Sequence, residues 1–215
     1  MEKILIVGAH GSTGKRVIEI LNNTQSFEPI AMIRKEEQKS IFDDMDVESV
    51  LADLEQDDLS PALKGIDKVI FAAGSGGHTG PEKTTAVDEE GAIKVIDAAV
   101  KAKVKKFVML SAMSADEPSS HKELEHYLKA KAEADKYLRN SGLNYTIVRP
   151  GALTDDLGMG KVQLGEKVER GEISRDDVAF LLVMSLADPL AKNKTFEAIE
   201  GDEPIKSALI EISQG

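Results

Sequence analysis

The sequence predicts an α/β protein built on a parallel β-sheet with helices on both of its faces. Short apolar runs bounded by turns alternate with longer stretches of helical periodicity, which is typical of strand–helix–strand units. The apolar runs are continuous and rich in β-branched residues, as in strands that are buried on both faces. The chain has 215 residues, 41% of them hydrophobic and 30% charged, which suits one globular domain. We therefore expect a single domain, residues 1–215, in which residues 151–215 form a small C-terminal appendage.

The predicted elements follow one another from the first residues of the chain. Strands are predicted at Lys3–Val7, Pro29–Ile33, Val47–Leu51, Lys68–Ala72, Lys105–Leu110 and Asn144–Val148. Helices are predicted at Thr13–Leu21, Ser60–Lys64, Ala86–Ala102 and Lys122–Asn140, with Ser60 and Pro61 opening the second. After residue 151 we expect a strand at Lys161–Leu164, a helix from Ser174 to about Ala187 and a strand at Thr195–Ile199. Ser174 and Asp177 have the spacing of a capping box.

The charge and composition disfavour several classes of function. A formal net charge of −11 would repel a phosphate backbone, so we expect no nucleic-acid partner. No apolar run reaches the length of a membrane-spanning helix, and the run Ile4–Val7 is too short for a signal-peptide core. We therefore expect a cytoplasmic protein with no membrane partner. The chain has no cysteine for disulfides or thiol catalysis, and its four histidines lack the spacing of metal ligands, so no metal site is expected.

A glycine-rich loop follows the first strand directly. In Gly8-Ala9-His10-Gly11-Ser12-Thr13-Gly14 the glycines recur every third residue between an apolar strand and an amphipathic helix. Glycine lets main-chain N–H groups approach a diphosphate, and the helix N-terminus adds unpaired donors and partial positive charge. The loop therefore predicts dinucleotide binding in a Rossmann-type, doubly wound sheet; the alternative is a tight turn without a ligand. The candidate cofactor contacts are Gly8, His10, Gly11, Ser12, Thr13 and Gly14, although His10 is more simply explained as a loop residue.

The end of the second predicted strand indicates which dinucleotide binds. NAD sites usually place an acidic residue here to hold the ribose 2′-hydroxyl, whereas the 2′-phosphate of NADP needs a cation. Arg34 follows the strand and can form paired, charge-assisted hydrogen bonds to a phosphate, while Lys35 adds charge. NADP is therefore favoured over NAD. Glu36 and Glu37 come next and would favour NAD if the strand ended later than predicted.

Further motifs occur in an order that is known from one enzyme superfamily. Short segments of small or polar residues follow the third to sixth predicted strands, and a Tyr-x-x-x-Lys pair lies on the helix after the fifth. They are Ala52-Asp53-Leu54, Ala72-Ala73-Gly74, Ser111, Tyr127 with Lys131, and Val148-Arg149-Pro150-Gly151. Together these motifs resemble the short-chain dehydrogenase/reductase superfamily, and most of all its short atypical or extended-type members, which are epimerase/dehydratase-like or NAD(P)H-binding. The resemblance covers nearly the whole chain.

The resemblance implies a role for each matching position. Tyr127 would be the general acid or base, and Lys131 would hold the ribose and favour the phenolate. Residues four apart on a helix share a face, so both side chains can point into one cleft. Ser111, or alternatively Ser114, would orient the substrate or the tyrosine. The positions implied for the cofactor are Asp53 and Leu54 beside the adenine, Ala72, Ala73 and Gly74 beneath the adenine ribose and diphosphate, and Pro150, Gly151, Ala152 and Leu153 at the nicotinamide end.

The chain departs from this family at two places. No Asn precedes Ala72 and Ala73, and the C-terminal region is too short for the substrate domain of enzymes that process nucleotide sugars. The glycine-rich segment 74–80, which includes His78, must then form part of the substrate cleft or its lid. Lys83 and Asp88, just beyond it, could contact the substrate or start the next helix.

The favoured interpretation is an NADP(H)-dependent oxidoreductase that acts on a small carbonyl or alcohol. An epimerase/dehydratase-like reaction would use the same residues. The alternative is a non-catalytic NAD(P)H-sensing protein similar to the NmrA-like regulators, which keep the cofactor fold without catalysis. Tyr127 and Lys131 favour the enzyme, and the reduced C-terminal region favours the sensor. The long helices Ala86–Ala102 and Lys122–Asn140 could pair across a homodimer.

Overall fold

A mostly parallel sheet of nine strands runs through the protein. The computed structural model describes residues 1–76, 79–187 and 189–214. The strands in chain order are β1 (Glu2–Val7), β2 (Phe27–Ile33), β3 (Glu48–Leu51), β4 (Lys68–Phe71), β5 (Lys106–Leu110), β6 (Tyr145–Pro150), β7 (Ala152–Thr154), β8 (Lys161–Gly165), β9 (Glu172–Ser174), β10 (Lys194–Glu200) and β11 (Glu203–Pro204). The large sheet has the order β3-β2-β1-β4-β5-β6-β10-β8-β11, and β7 pairs with β9 in a separate small sheet. Neighbouring strands run parallel, apart from β8, which is antiparallel to both of its neighbours.

Helices cover both faces of this sheet. They are α1 (Ser12–Asn22), α2 (Lys39–Asp43), α3 (Pro81–Thr84), α4 (Ala92–Ala102), α5 (Glu125–Asn140), α6 (Arg175–Met184) and α7 (Ile205–Gln214). A π-helical segment, Thr85–Gly91, joins α3 to α4 without a break. Within the described part of the chain, no helix is both long and apolar enough to cross a bilayer.

The predicted α/β class is confirmed, and each predicted strand is found within two residues of its predicted ends. The predicted cap of the helix after β9 is also present, because the Asp177 amide donates to Oγ of Ser174 at 3.0 Å. The predicted helix Ser60–Lys64 is wrong. The chain there forms successive turns, and the Ser60 hydroxyl donates to the Asp58 carboxylate at 2.7 Å instead of capping a helix.

The alternation of side chains along β1 divides the core into two layers. Ile4 and Ile6 point to the layer beneath α1 and α6, whereas Leu5 and Val7 point to the layer beneath α4 and α5. All four side chains are buried. A strand with both faces buried has a continuous apolar sequence, and this pattern allowed β1 to be predicted from the sequence.

Residues 151–214 are integrated into the sheet and do not form a separate lobe. β10 pairs with β6, β8 extends the edge, and α6 packs against α1. The guanidinium of Arg16 on α1 lies 2.6 Å from the Asp176 carboxylate in the first turn of α6. This pair fixes the C-terminal region to the helix that follows the glycine-rich loop.

The turn from β1 into α1 packs too closely to tolerate side chains. Gly8 has φ of +85°, and a Cβ there would lie 2.6 Å from the backbone of Ala73. A Cβ at Gly14 would overlap the carbonyl oxygen of Gly8. The first and last glycines of the loop therefore hold the helix against the ends of β1 and β4.

We expect Gly14→Ala to lower the free energy of unfolding by about 3 kcal/mol, the upper range for inserting a methyl group into a packed site. Urea unfolding followed by circular dichroism measures this. Gly80→Ala is the matched control, because a Cβ there meets open space, and it should cost less than about 1 kcal/mol. Equal losses in the two variants would contradict the packing role of Gly14.

Candidate functional site

The candidate site lies beside β1, at the point where the strand order of the sheet reverses. From β1 the chain adds β2 and β3 on one side and β4, β5 and β6 on the other, which opens a crevice at the carboxyl ends of β1 and β4. The loop from Gly8 to Gly14 forms one wall of this crevice. Gly11 is the N-cap residue of α1, and no side chain caps the helix. Its first amide groups can therefore serve an anion.

A cavity of about 270 Å³ lies on the β2 side of the crevice. Its lining comes from the glycine-rich loop, the end of β2, the segment after β3 and the end of β4. The sequence-predicted residues that line it are Gly8, His10, Gly11, Arg34, Asp53, Leu54, Ala72, Ala73 and Gly74. The sequence interpretation missed Gln38 and Glu55 in its lining. Lys83, a candidate substrate contact, also lies here, where it forms an ion pair with Glu55.

Arg34 lines this cavity, and its side chain is exposed. The backbone amides of Arg34 and Lys35 both donate to Oε1 of Gln38, at 2.8 and 3.1 Å. Two neighbouring amides thus converge on one oxygen beside a guanidinium. Lys35, Glu36 and Glu37 are exposed and do not line the cavity.

A second cavity, of about 670 Å³, opens toward β5 and α5. It shares Gly11 and the segment 72–75 with the first cavity, so the two form one continuous cleft. The sequence-predicted residues that line it are Gly11, Ser12, Thr13, Ala72, Ala73, Gly74, Asp88, Ser111, Tyr127, Lys131 and Leu153. The end of β5 and one face of α5 therefore bring the serine, tyrosine and lysine to the far end of the cleft from Arg34.

Several predicted residues lie outside the cleft. Gly14, Pro150, Gly151 and Ala152 line neither cavity. The backbone of Gly151 packs against Gly171, and Ala152 pairs with β9. Only Leu153 of that segment reaches the cavity. Gly77 and His78 of the expected lid lie outside the described residues, whereas Gly74, Ser75, Gly76 and Thr79 line the second cavity.

Of the two candidate serines, Ser111 lies in the cleft and is buried. Ser114 has φ of +63° and its amide donates to Oε1 of Glu197 at 3.0 Å, which fixes a turn against β10. Ser114 does not line the cavity.

Lys131 is buried, with 4% of its surface exposed. Its Nζ lies 2.9 Å from Oδ1 of Asp88, 3.4 Å from the Leu110 carbonyl oxygen and 5.6 Å from the centre of the Tyr127 ring. Burial by itself would lower the pKa of Lys131, but Tyr127, Asp88 and Asp135 outweigh it, so the pKa is raised. Asp88, expected as a substrate contact or a helix-entry residue, is a partner of Lys131.

Residues 8–189 match the model of the family described as NAD(P)H-binding. The chain belongs to the NAD(P)H-binding family. It is 44% identical over 210 residues to a Bacillus subtilis protein named an uncharacterized sugar epimerase, YhfK, with 96% of this chain and 98% of the relative covered. The match to the family includes the glycine-rich loop, both cavities and the Tyr127–Lys131 helix.

Solved structures agree with this assignment. A candidate NAD-dependent epimerase/dehydratase from Bacillus halodurans superposes with a TM-score of 0.93 and 39% identity, covering 98% of this chain and 100% of the other. The oxidoreductase ylbE from Lactococcus lactis superposes with a TM-score of 0.86 and is 31% identical. The match covers 99% of this chain and 97% of the other. The NAD(P)H-binding fold of this chain therefore extends over nearly its full length.

One cationic residue of this NAD(P)H-binding protein was missed by sequence reasoning. Arg175, the first residue of α6, lines the second cavity. Its Nη1 lies 3.1 Å from Oδ1 of Asp155 and donates to the Leu153 carbonyl at 3.4 Å. The residue lies far along the chain from the loop, and only the packing of α6 on α1 brings the two together.

Within the described residues, no group of three histidine or carboxylate side chains has the geometry of a metal site.

A second buried ion pair lies one turn beyond Lys131. Asp135 on α5 is fully buried, and its Oδ2 accepts a hydrogen bond from Nε of Arg149 at 2.9 Å. Nη1 of Arg149 also lies 3.3 Å from Asp116. Burial raises the pKa of Asp135, although Arg149 and the neighbouring Ser111 hydroxyl favour its charged form. The pair joins α5 to β6.

We expect Arg149→Met to lower the free energy of unfolding by about 3–5 kcal/mol, because it leaves the Asp135 carboxylate buried without its cation. Chemical denaturation at neutral pH measures this loss. Lys136→Met, which removes an exposed cation from the same helix, should change the free energy by less than about 0.5 kcal/mol. A loss below about 1 kcal/mol in Arg149→Met would contradict a buried, paired Asp135.

Proposed function

We propose that the protein is an NADP(H)-dependent oxidoreductase that acts on a small carbonyl or alcohol. The observation that carries this proposal is that Ser111, Tyr127 and Lys131 line the same cleft as the glycine-rich loop. A proton-transfer group and a dinucleotide-binding loop in one cleft are what carbonyl reduction needs, since the reaction delivers a hydride and a proton to adjacent atoms.

The cleft suits an extended dinucleotide. Its middle is built from Gly11 and the small residues 72–74, which leaves room for a diphosphate against the uncapped N-terminus of α1. Arg34 at one end would hold an adenosine 2′-phosphate. Leu54 and Asp53 would flank the adenine, and Leu153 would lie at the opposite end.

The chain's own residues would handle the proton. When bound, the nicotinamide would supply or accept the hydride. Tyr127 would give its phenolic proton to the carbonyl oxygen of the substrate, or take it from an alcohol in the reverse direction. The Lys131 ammonium, 5.6 Å from the ring centre, would stabilise the phenolate left behind, and Ser111 would hydrogen-bond to the same substrate oxygen.

The substrate expected from this geometry is small. The second cavity has a volume of about 670 Å³ and would also hold the nicotinamide end of the cofactor. Of the described residues in 151–214, Leu153 and Arg175 line this cavity, and strands β8, β10 and β11 of the region extend the sheet. The names of two relatives include epimerase, and an epimerase-like reaction with transient oxidation would use the same three side chains.

One observation supports a second candidate, a cofactor-sensing protein without turnover. The Lys131 ammonium is already paired with Asp88, and the residue is buried, so its contact with a ribose would be limited. Such a protein would bind NADPH and oxidise none of it. Both candidate functions predict NADPH binding, so only a measurement of NADPH oxidation distinguishes the enzyme from the sensor.

We expect Tyr127→Phe to reduce turnover at least about 100-fold while leaving the Kd for NADPH within about twofold, because only the proton-transfer group is removed. The assay is NADPH oxidation against a panel of aldehydes, ketones and quinones. Tyr137→Phe on the same helix is the control, since Tyr137 hydrogen-bonds to Asp97 outside the cleft. Unchanged turnover in Tyr127→Phe would remove this residue from the mechanism.

We expect the protein to bind NADPH more tightly than NADH, and Arg34→Ala to weaken NADPH binding about tenfold or more with little effect on NADH. Fluorescence titration with each cofactor measures both constants. Arg139→Ala serves as the control for the loss of an exposed cation. Equal affinity of the wild-type protein for the two cofactors would contradict the role given to Arg34.

A further inference from the structure

We propose that Asp88 is a positioning residue for Lys131: it holds the lysine as a fixed, charged ammonium beneath the cleft. The proposal rests on the proposed function, in which Lys131 assists Tyr127. It assigns a task to a buried carboxylate that lies outside the Tyr-x-x-x-Lys pair and on a different helix.

Both carboxylate oxygens of Asp88 have a close polar neighbour: Oδ1 forms an ion pair without an aligned hydrogen bond, and Oδ2 accepts a hydrogen bond from a main-chain amide. Oδ1 lies 2.9 Å from Nζ of Lys131, and Oδ2 accepts a hydrogen bond from the Ser75 amide at 2.9 Å. Asp88 is fully buried. A Cβ on Gly74 would lie 3.1 Å from Oδ1. The carboxylate thus joins the segment after β4, which lies in the middle of the cleft, to the lysine on α5.

The π-helical segment Thr85–Gly91 carries Asp88 to this place. The buried residues of the segment are Val87, Asp88 and Gly91, and it packs against α5. Asp88 is the charged member of that buried face. A π-helical turn is wider than an α-helical turn, and such segments are rare and frequently lie at functional sites. A charged residue on the buried side of such a segment needs a partner, and Lys131 is that partner.

The charges around Lys131 leave Asp88 as its counter-ion. Tyr127 and Asp135 face it from its own helix, the Leu110 carbonyl from the end of β5, and Asp88 from the π-helical segment. Asp135 is already matched by Arg149 of β6. The buried cluster therefore consists of two pairs, Lys131 with Asp88 and Arg149 with Asp135.

This pairing sets both the position and the charge of the lysine. A buried ammonium without a carboxylate would either lose its proton or turn toward solvent. With Asp88 on one side and the Leu110 carbonyl on another, the ammonium is held within reach of the Tyr127 ring. Asp88 does not touch the reacting atoms in this scheme; it acts through Lys131.

Side-chain ammonium NMR of ¹⁵N-labelled, cofactor-free protein tests the proposal without any substrate. A buried, paired ammonium exchanges slowly and gives its own signal, which Lys131→Gln identifies by its loss. We expect the titration midpoint of Lys131 to fall by at least about one pH unit, a tenfold loss of proton affinity, in Asp88→Asn. Glu90→Gln, which removes an exposed carboxylate from the same segment, should leave it unchanged. Lys68, whose Nζ lies 2.8 Å from Glu2, is an internal reference.

The outcomes separate this proposal from the proposed function. An unchanged Lys131 midpoint in Asp88→Asn overturns the positioning role, whatever the protein does with NADPH. Failure of the wild-type protein to bind or oxidise NADPH overturns the function and leaves the titration result standing. If Asp88→Asn unfolds, the double variant Asp88→Asn/Lys131→Met removes both charges and should fold again. A double variant that stays unfolded, while Lys131→Met alone folds, would show that Asp88 serves something other than Lys131 and would overturn the proposal.

Discussion

The close packing of the first loop against the end of β4 is the constraint on which the cleft depends. Gly8 and Gly14 bring β1, α1 and the Ala73 backbone within distances that exclude a side chain. This contact places the uncapped start of α1 directly over the crevice between β1 and β4. The small residues Ala72, Ala73 and Gly74 line both cavities there and leave space for a ligand. A diphosphate needs such space, because main-chain N–H groups reach it only where no Cβ intervenes.

Two buried ion pairs give the far end of the cleft its chemistry. Charges taken out of water are costly unless each has a partner at close distance, and here each cation has a carboxylate within 2.9 Å. The pairs lie on successive turns of α5 and tie that helix to the π-helical segment and to β6. Tyr127 and Ser111 line the cleft together with Lys131, a member of one of these ion pairs.

The C-terminal region contributes to the cleft from a distance in sequence. Residues 151–214 extend the sheet through β10 and β8 and cover α1 with α6. Arg16 on α1 and Asp176 on α6 connect the two helices, and Arg175 reaches the second cavity as a result. The C-terminal region thus completes the nucleotide-binding sheet and contributes Leu153 and Arg175 to the second cavity.

The sequence by itself determined the parallel sheet, the glycine-rich loop and the membership of a dinucleotide-binding family. These features are local: a doubly buried strand is a continuous apolar run, and the loop glycines follow it at fixed spacing. The predicted helix Ser60–Lys64 failed because five residues carry too weak a periodic signal to outweigh turn formation around Asp58 and Ser60. Only the tertiary structure placed Ser111 in the cleft and Ser114 outside it, paired Asp88 with Lys131 and brought Arg175 to the cleft. Each of these depends on contacts between residues far apart in the chain, and the hydrophobic pattern of one sequence records which face is buried but not which polar groups meet there.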